Sequence, residues 1–572
     1  MNPVAPRHGA ERIATARGDR SVDLVITGAS VFSPITKTWV ATPLAVDGGV
    51  VVAWQDHPAR EHLDLAGSLI VPGFIDAHVH IESTKLWVER FAEAVVPMGT
   101  VAVACDPHEM ANVAGRRGVE AMVQAARNLP LTIGFCASSC VPASAFESPG
   151  ATFGPTEMAA LLRDPLALGV AEVMDFPGVI QGDPTLLAKI ALADWRRVDG
   201  HAPGLQGSSL DAYLVAGVES DHEMVTLEEV EEKRHKGMWV FLRHGSASQN
   251  LAGFAPTVIE HGTEHVALCS DDREPDLLRE RGHVNDLVRI AVAAGIGLED
   301  ALVLATLNPA TYHGLGHLGH IGPGRQADFL VYPNREAIAE GAPPALVFHL
   351  GEVVARDGHL MRALPSTPIP FELLNTVHLA HPLGADDFRV EIPARARVIV
   401  AAEHAIWTDQ RIRVREDLEG VNLIAVVERH HATGRIGHGL VEGFGLRRGA
   451  IASTVAHDAH NLMVVGALGA EADMALAANR VAELHGGQVV VADGRVLAEV
   501  PLPIAGLMSN APLAEVAEAQ VRATAAAHEL GARLEAPFMT LAFLGLSVIP
   551  ELKLTDRGLV DVATWQLVGL EA

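Results

Sequence analysis

Val71-Pro-Gly-Phe-Ile-Asp-Ala-His-Val-His, residues 71–80, is the stretch on which the fold turns. An apolar run entered through Pro-Gly reads as a buried strand, and the alternation of side chains along a strand puts His78 and His80 on one face. Two imidazoles at i and i+2 can grip one metal ion. The C-terminal end of such a strand is also where a β/α barrel builds its site.

Working outward, the text after residue 80 alternates apolar strands with helical segments. Val101-Ala-Val-Ala is followed by helical Gly118-Val-Glu-Ala-Met-Val, then by Leu131-Thr-Ile-Gly-Phe, and the pattern runs on through Val170-Ala-Glu-Val-Met and Met238-Trp-Val-Phe-Leu to His265-Val-Ala-Leu-Cys and a helix near Leu298–Thr306. Close to eight strand candidates fall within about 230 residues, which predicts an α/β fold with a TIM-like (β/α)8 barrel over 71–320. The flanks read differently. Short β-rich runs with Gly, Asp and Pro turns before and after the barrel predict a small β-sandwich domain built from both sides, 21–70 and 321–370. A third unit, α+β, is expected over 371–572, with strands at Arg397-Val-Ile-Val-Ala and Gln488-Val-Val-Val and a helix over Ala472–Leu484. Residues 1–20 are expected to be loosely ordered.

At 572 residues the chain exceeds what one core usually organises, in keeping with this division. Acidic residues number 70 against 43 basic ones, a net charge of −27. So negative a surface repels phosphate backbones and anionic lipid but attracts divalent cations, so neither nucleic acid nor membrane is expected as a partner. Met1–Arg20 lacks the apolar run of a secretory signal, and no later segment reads as a spanning helix, so a cytoplasmic protein is expected. Cys105, Cys136, Cys140 and Cys269 lack paired metal-ligand spacing and read as buried thiols.

Further donors appear in strand order: Glu172 in Ala-Glu-Val-Met, His201 in Gly-His-Ala-Pro-Gly, His222 in Ser-Asp-His-Glu and Asp271 in Ser-Asp-Asp. Taken singly, each has a bland reading, such as an ion pair, a turn or a helix cap. With His78 and His80 they make six nitrogen and oxygen donors, more than one ion requires. The set suits two divalent ions with a carboxylate between them, and such ligands accept iron, manganese and zinc alike.

These motifs resemble the amidohydrolase superfamily. Ile75-Asp-Ala-His-Val-His-Ile-Glu-Ser-Thr, Cys105-Asp-Pro-His-Glu-Met-Ala-Asn-Val, Gly200-His-Ala-Pro-Gly-Leu, Ser220-Asp-His-Glu and Val455-Ala-His-Asp-Ala-His-Asn resemble the bacterial adenine deaminase family within it. The resemblance implies hydrolysis of adenine to hypoxanthine and ammonia in purine salvage, by hydroxide held on paired Mn2+ or Fe2+, with Zn2+ as a third option. It implies that Glu172 stands in for the carboxylated lysine that bridges the metals in many relatives, and barrel enzymes of this sort often form homo-oligomers. On this reading Asp271 takes the proton of the attacking water and Glu109, at the end of the second strand, protonates a ring nitrogen at the price of a bland alternative as a helix N-terminal carboxylate.

His457, Asp458 and His460 form a second dense cluster, expected to contact substrate or close over the barrel mouth, to hold a further ion, or merely to order a polar turn. One departure bears on the substrate: His244 in Leu242-Arg-His-Gly-Ser stands where the resemblance calls for glutamate. The alternatives are another amidohydrolase acting on a different purine or a cyclic amide, and a non-catalytic scaffold, which would be expected to have lost some of the six donors.

Overall fold

The computed structural model describes residues 9–403 and 407–572. Eight strands follow one another through its middle: β1 (Phe74–Val79), β2 (Thr100–Cys105), β3 (Thr132–Ala137), β4 (Ala167–Val173), β5 (Arg197–Gly200), β6 (Ser220–Asp221), β7 (Trp239–Arg243) and β8 (Val266–Cys269). Strands β1 to β5 pair in parallel in sequence order, as do β6 to β8. Two seams close the ring. Glu219 N–H donates to Val198 O at 3.0 Å between β5 and β6, and Val79 bridges to Asp271 in parallel between β1 and the end of β8.

The sequence shapes this ring through its apolar runs. Every residue of β1, β2, β7 and β8 is buried, as expected of parallel strands covered by helices on the outside and packed within. Gly73 makes the entry possible: a Cβ there would stand 2.3 Å from a Val101 methyl, so only glycine lets the chain pass this close to β2.

Strands from before and after the barrel share one sheet, because Phe329–Tyr332 pairs antiparallel with Leu69–Pro72 in the register Leu330↔Val71. A four-stranded sheet containing Val22–Thr27 and Leu44–Asp47 packs against it through Leu24, Ile26, Leu44, Phe329 and Phe348. Beyond residue 394, eight strands form a further sheet, with the helix Glu471–Glu483 buried against it through Met474, Ala477, Ala478 and Val481. The strands expected near 397 and 488 are present as Arg395–Ala401 and Gly487–Ala492.

The expectation of loose chain over 1–20 needs correction within the described residues. Ala10–Ala16 is helical. Thr15 is buried, and the His57 ring meets the Ala16 carbonyl at 3.1 Å. The helix is held by contact with the β-strands, a tertiary cause invisible in so short a segment. Residues 1–8 lie outside the described residues. All four cysteines are buried and unpaired, and among the described residues no helix is long and apolar enough to cross a membrane.

Candidate metal centre

The C-terminal ends of the barrel strands bring the six expected donors into one buried cluster. His78 lies on β1 and His80 directly after it, Glu172 lies on β4, and His201, His222 and Asp271 follow β5, β6 and β8. Glu172 occupies the middle. Its Oε1 lies 3.4 Å from His80 Nε2 and 3.9 Å from His78 Nε2. Its Oε2 lies 2.7 Å from His201 Nδ1 and 3.4 Å from His222 Nε2. Among the six expected donors, one carboxylate therefore faces two histidine pairs, one with each oxygen, and His108 Nδ1 also approaches Oε1, at 3.4 Å.

Asp271 closes the ring on the far side. Its Oδ1 is 3.1 Å from His80 Nε2 and its Oδ2 is bound by the Arg243 guanidinium, which also binds Glu223. Asp271 adopts φ 56°, a left-handed conformation unusual for a non-glycine residue. Backbone bonds to the edge of β1 hold it there: Asp271 N–H donates to His78 O at 3.0 Å and His80 N–H to Asp271 O at 3.4 Å. Strain of this kind is sustained where surrounding structure fixes a functional side chain.

Burial disfavours charge on all of these groups, and the neighbours decide which remain charged. For Glu172, burial would raise the carboxyl, but His201, His222 and His80 outweigh it and hold it well below the usual range. Asp271 is likewise held low, burial being outweighed by Arg243 and His80. His78 moves the other way, pushed well below the ordinary histidine value by burial and by His222 and His80. Glu109 is the contrast: burial, reinforced by the charges of Glu82 and Asp272, pushes it up to about 8, so it carries a proton at neutral pH.

Glu109 is fully buried and stands one side chain behind the cavity wall. Ser83 Oγ lies 2.9 Å from its Oε1, and the same hydroxyl is 2.5 Å from Asp272 Oδ1 on the wall. The C-terminal sheet reaches this point through the loop between its strands Ala450–Ser453 and Leu462–Ala467. Of the second cluster, His457 and Asp458 line the cavity and His460 does not. The His457 ring stacks on Phe543 at 4.6 Å, and Asp458 Oδ1 lies 3.6 Å from His108 Nε2. His460 instead faces Glu109, Nε2 to Oε2, at 3.5 Å.

Comparison with known proteins bears directly on this arrangement. Residues 69–354 match the amidohydrolase family and residues 401–566 the adenine deaminase C-terminal domain. The chain is 43% identical over 565 residues to an adenine deaminase of Nitratidesulfovibrio vulgaris (strain DP4), covering 96% of each chain. It is 41% identical to adenine deaminase 2 of Carboxydothermus hydrogenoformans, over 97% of this chain and 98% of that one. To an adenine deaminase of Methylobacterium nodulans it is 42% identical, over 99% of this chain and all of the relative.

The chain belongs to the adenine deaminase family. Like other amidohydrolases, members of this family are metal-dependent, and the donors here fit a cation. His78 Nε2 and His80 Nε2 face each other at 3.1 Å, and His201 Nε2 is buried with no hydrogen-bond partner. Imidazole nitrogens crowded against one another and against two carboxylates in a buried pocket are the donor chemistry of a cation site.

Several residues that line the cavity carry no expectation from the sequence. His108, in the same Asp-Pro-His-Glu motif as Glu109, lies 3.4 Å from Glu172 Oε1 and 3.1 Å from Asp106 Oδ2. Arg243 and Glu223 line the cavity as neighbours of His244 and His222. Strand alternation on β7 supplies the missed signal: if Arg243 turns inward, His244 turns outward. His244 is not among the cavity-lining residues, and burial together with Arg273 lowers its ring to about 4. Its departure from the expected glutamate therefore lies off the cavity wall. Phe543 had no signal at all, since it arrives from a helix (Pro537–Phe543) more than two hundred residues past the last barrel donor.

Proposed function

We infer that this chain hydrolyses adenine to hypoxanthine and ammonia. The observation that carries the reading is Glu172, whose two oxygens face separate histidine pairs, and the family's shared name supplies the base. His78, His80, Glu172, His201, His222 and Asp271 would hold two divalent ions, manganese or iron in preference to zinc. When bound, such ions acidify a water toward neutral pH, from a bulk pKa of ~16, and so supply the nucleophile for C6.

The remaining roles fall to the chain's own side chains. Asp271, kept ionised by Arg243, accepts the proton of the attacking water and returns it to the departing ammonia. Glu109 supplies the proton that the purine ring needs as C6 becomes tetrahedral; a carboxyl that titrates near the working pH is suited to this task. His457 and Asp458 take the polar edge of the base, and Phe543 with Met174 and Leu546 supplies apolar wall. We divide the chain into the barrel (71–320), the composite β-sandwich (21–70 and 321–370) and the C-terminal unit (371–572), and place the enzyme, as a homo-oligomer, in the cytoplasm.

The test is ammonia release by purified, manganese-loaded protein offered adenine, adenosine, guanine and cyclic imides in parallel. Adenine should be turned over with kcat/KM well above the others. Preference for a cyclic imide or for guanine would replace this reading with the corresponding amidohydrolase activity.

A further inference from the structure

The C-terminal loop places three polar side chains at the barrel mouth, and His460 is the one that touches neither the cavity nor the metal donors. It is fully buried. Its Nδ1 receives the Ala456 backbone N–H at 3.0 Å. A backbone N–H can only donate, so Nδ1 must carry a lone pair, and the ring is held as the neutral tautomer with its proton on Nε2. Nε2 lies 3.5 Å from Glu109 Oε2, and among the described residues each of these two buried atoms is without a hydrogen-bond partner.

The tautomer decides between two uses of the Glu109, His457 and His460 cluster, which has the spacing of a cation site. A cation on His460 would need the Nε2 lone pair, which is freed only if Nδ1 takes up a proton against the Ala456 N–H. The backbone therefore leaves His460 with a proton to donate at Nε2, where Glu109 Oε2 is the unpartnered acceptor nearby, and unsuits it as a ligand.

We propose that His460 is a positioning residue for the reaction: by donating to Oε2 of Glu109 it leaves the acid proton on Oε1, the oxygen joined through Ser83 to Asp272 on the cavity wall. The proposal rests on the reading of Glu109 as proton donor. In the transfer this permits, the Glu109 Oε1–H bond breaks as its proton passes to Ser83 Oγ, while the Ser83 proton passes to Asp272 Oδ1. Glu109 ends as a carboxylate, Ser83 is unchanged and Asp272 becomes the acid beside the substrate. The C-terminal unit would thus contribute to chemistry as well as to binding, by fixing which end of a barrel carboxyl holds the proton.

The test compares metal-loaded full-length enzyme with its His460→Asn, His460→Gln and Glu109→Gln variants and the Asn/Gln double variant. Asparagine keeps an acceptor for Ala456 N–H and removes the donor to Glu109, whereas glutamine places an amide N–H near the lost Nε2 position. His460→Asn should lower kcat about tenfold with KM and metal content nearly unchanged, His460→Gln should recover part of the loss, and the double variant should be no slower than Glu109→Gln alone. The infrared carbonyl band of protonated Glu109, identified by its loss in Glu109→Gln, should shift in His460→Asn. Full kcat in His460→Asn, losses that multiply in the double variant, or an unmoved band would overturn the proposal. Because the band is read without substrate, a wild-type enzyme inert toward adenine would count against the proposed reaction and leave the positioning of Glu109 to be judged separately.

Discussion

The barrel side and the C-terminal side of the cavity are both buried and both polar, yet their polarity is organised differently. Around the Glu172 carboxylate, imidazole nitrogens of five histidines converge at 2.7 to 3.9 Å. Across from them, His457 Nε2 and Asp458 Oδ2 are each buried with no hydrogen-bond partner. Convergent donors suit a small cation, and separate unsatisfied atoms suit the dispersed donors and acceptors of a heterocycle. We propose that this difference is a division of labour, in which the strand ends would hold the ions that supply the nucleophile and a loop from a distant sheet would hold the base.

The sharpest way to break the comparison is Glu172→Gln. An amide cannot serve both histidine pairs as a carboxylate does, so metal content should fall and turnover should drop by ~1,000-fold or more. Elemental analysis beside the ammonia assay reads both. Next in size, Glu109→Gln should cut kcat by ~100-fold with metal content intact, since it removes a proton donor and no ligand. Retained turnover would take Glu109 out of the reaction.

Changes at the two residues of the C-terminal side that line the cavity should act on binding. His457→Ala and Asp458→Asn should each raise KM for adenine by about tenfold, the worth of one hydrogen bond to a polar ligand, and leave metal stoichiometry alone. Loss of metal in either variant would erase the distinction between the two sides.

How much of this could be read beforehand follows from where each signal resides. His78 and His80 declare themselves because two residues at the end of one strand carry the whole message, and Glu172, His201, His222 and Asp271 are legible from the strand order. Arg243 was passed over for His244, one position away, because facing depends on the pleat and not on residue type. Phe543 and the role of His460 were illegible. Stacking on His457 and the Ala456 N–H bond are properties of a loop seated in a barrel mouth, and nothing local in the sequence encodes that seating. The helix Ala10–Ala16 was missed for the same reason, its support being tertiary.

The smallest expected effect concerns the seam between the two sides. Glu147, in the loop after β3, is fully buried, and burial together with the charge of Asp458 pushes it up to about 8. An acid whose folded value lies above its unfolded one binds more protons folded than unfolded, so between roughly pH 4.5 and 8 it makes stability fall as pH rises, by at most about 1.4 kcal/mol per pH unit. Glu147→Gln should flatten the decline in melting temperature across that window. An unchanged slope would show that Glu147 does not feel the C-terminal unit in this way.

The central claim is that one carboxylate, Glu172, joins two histidine pairs into a centre for two ions, and titration of metal-free protein with manganese while following ammonia release from adenine tests it most directly. Activity should rise only as the second equivalent per chain is taken up, and Glu172→Gln should bind no second ion. Full activity at one equivalent, or two ions retained by Glu172→Gln, would contradict it.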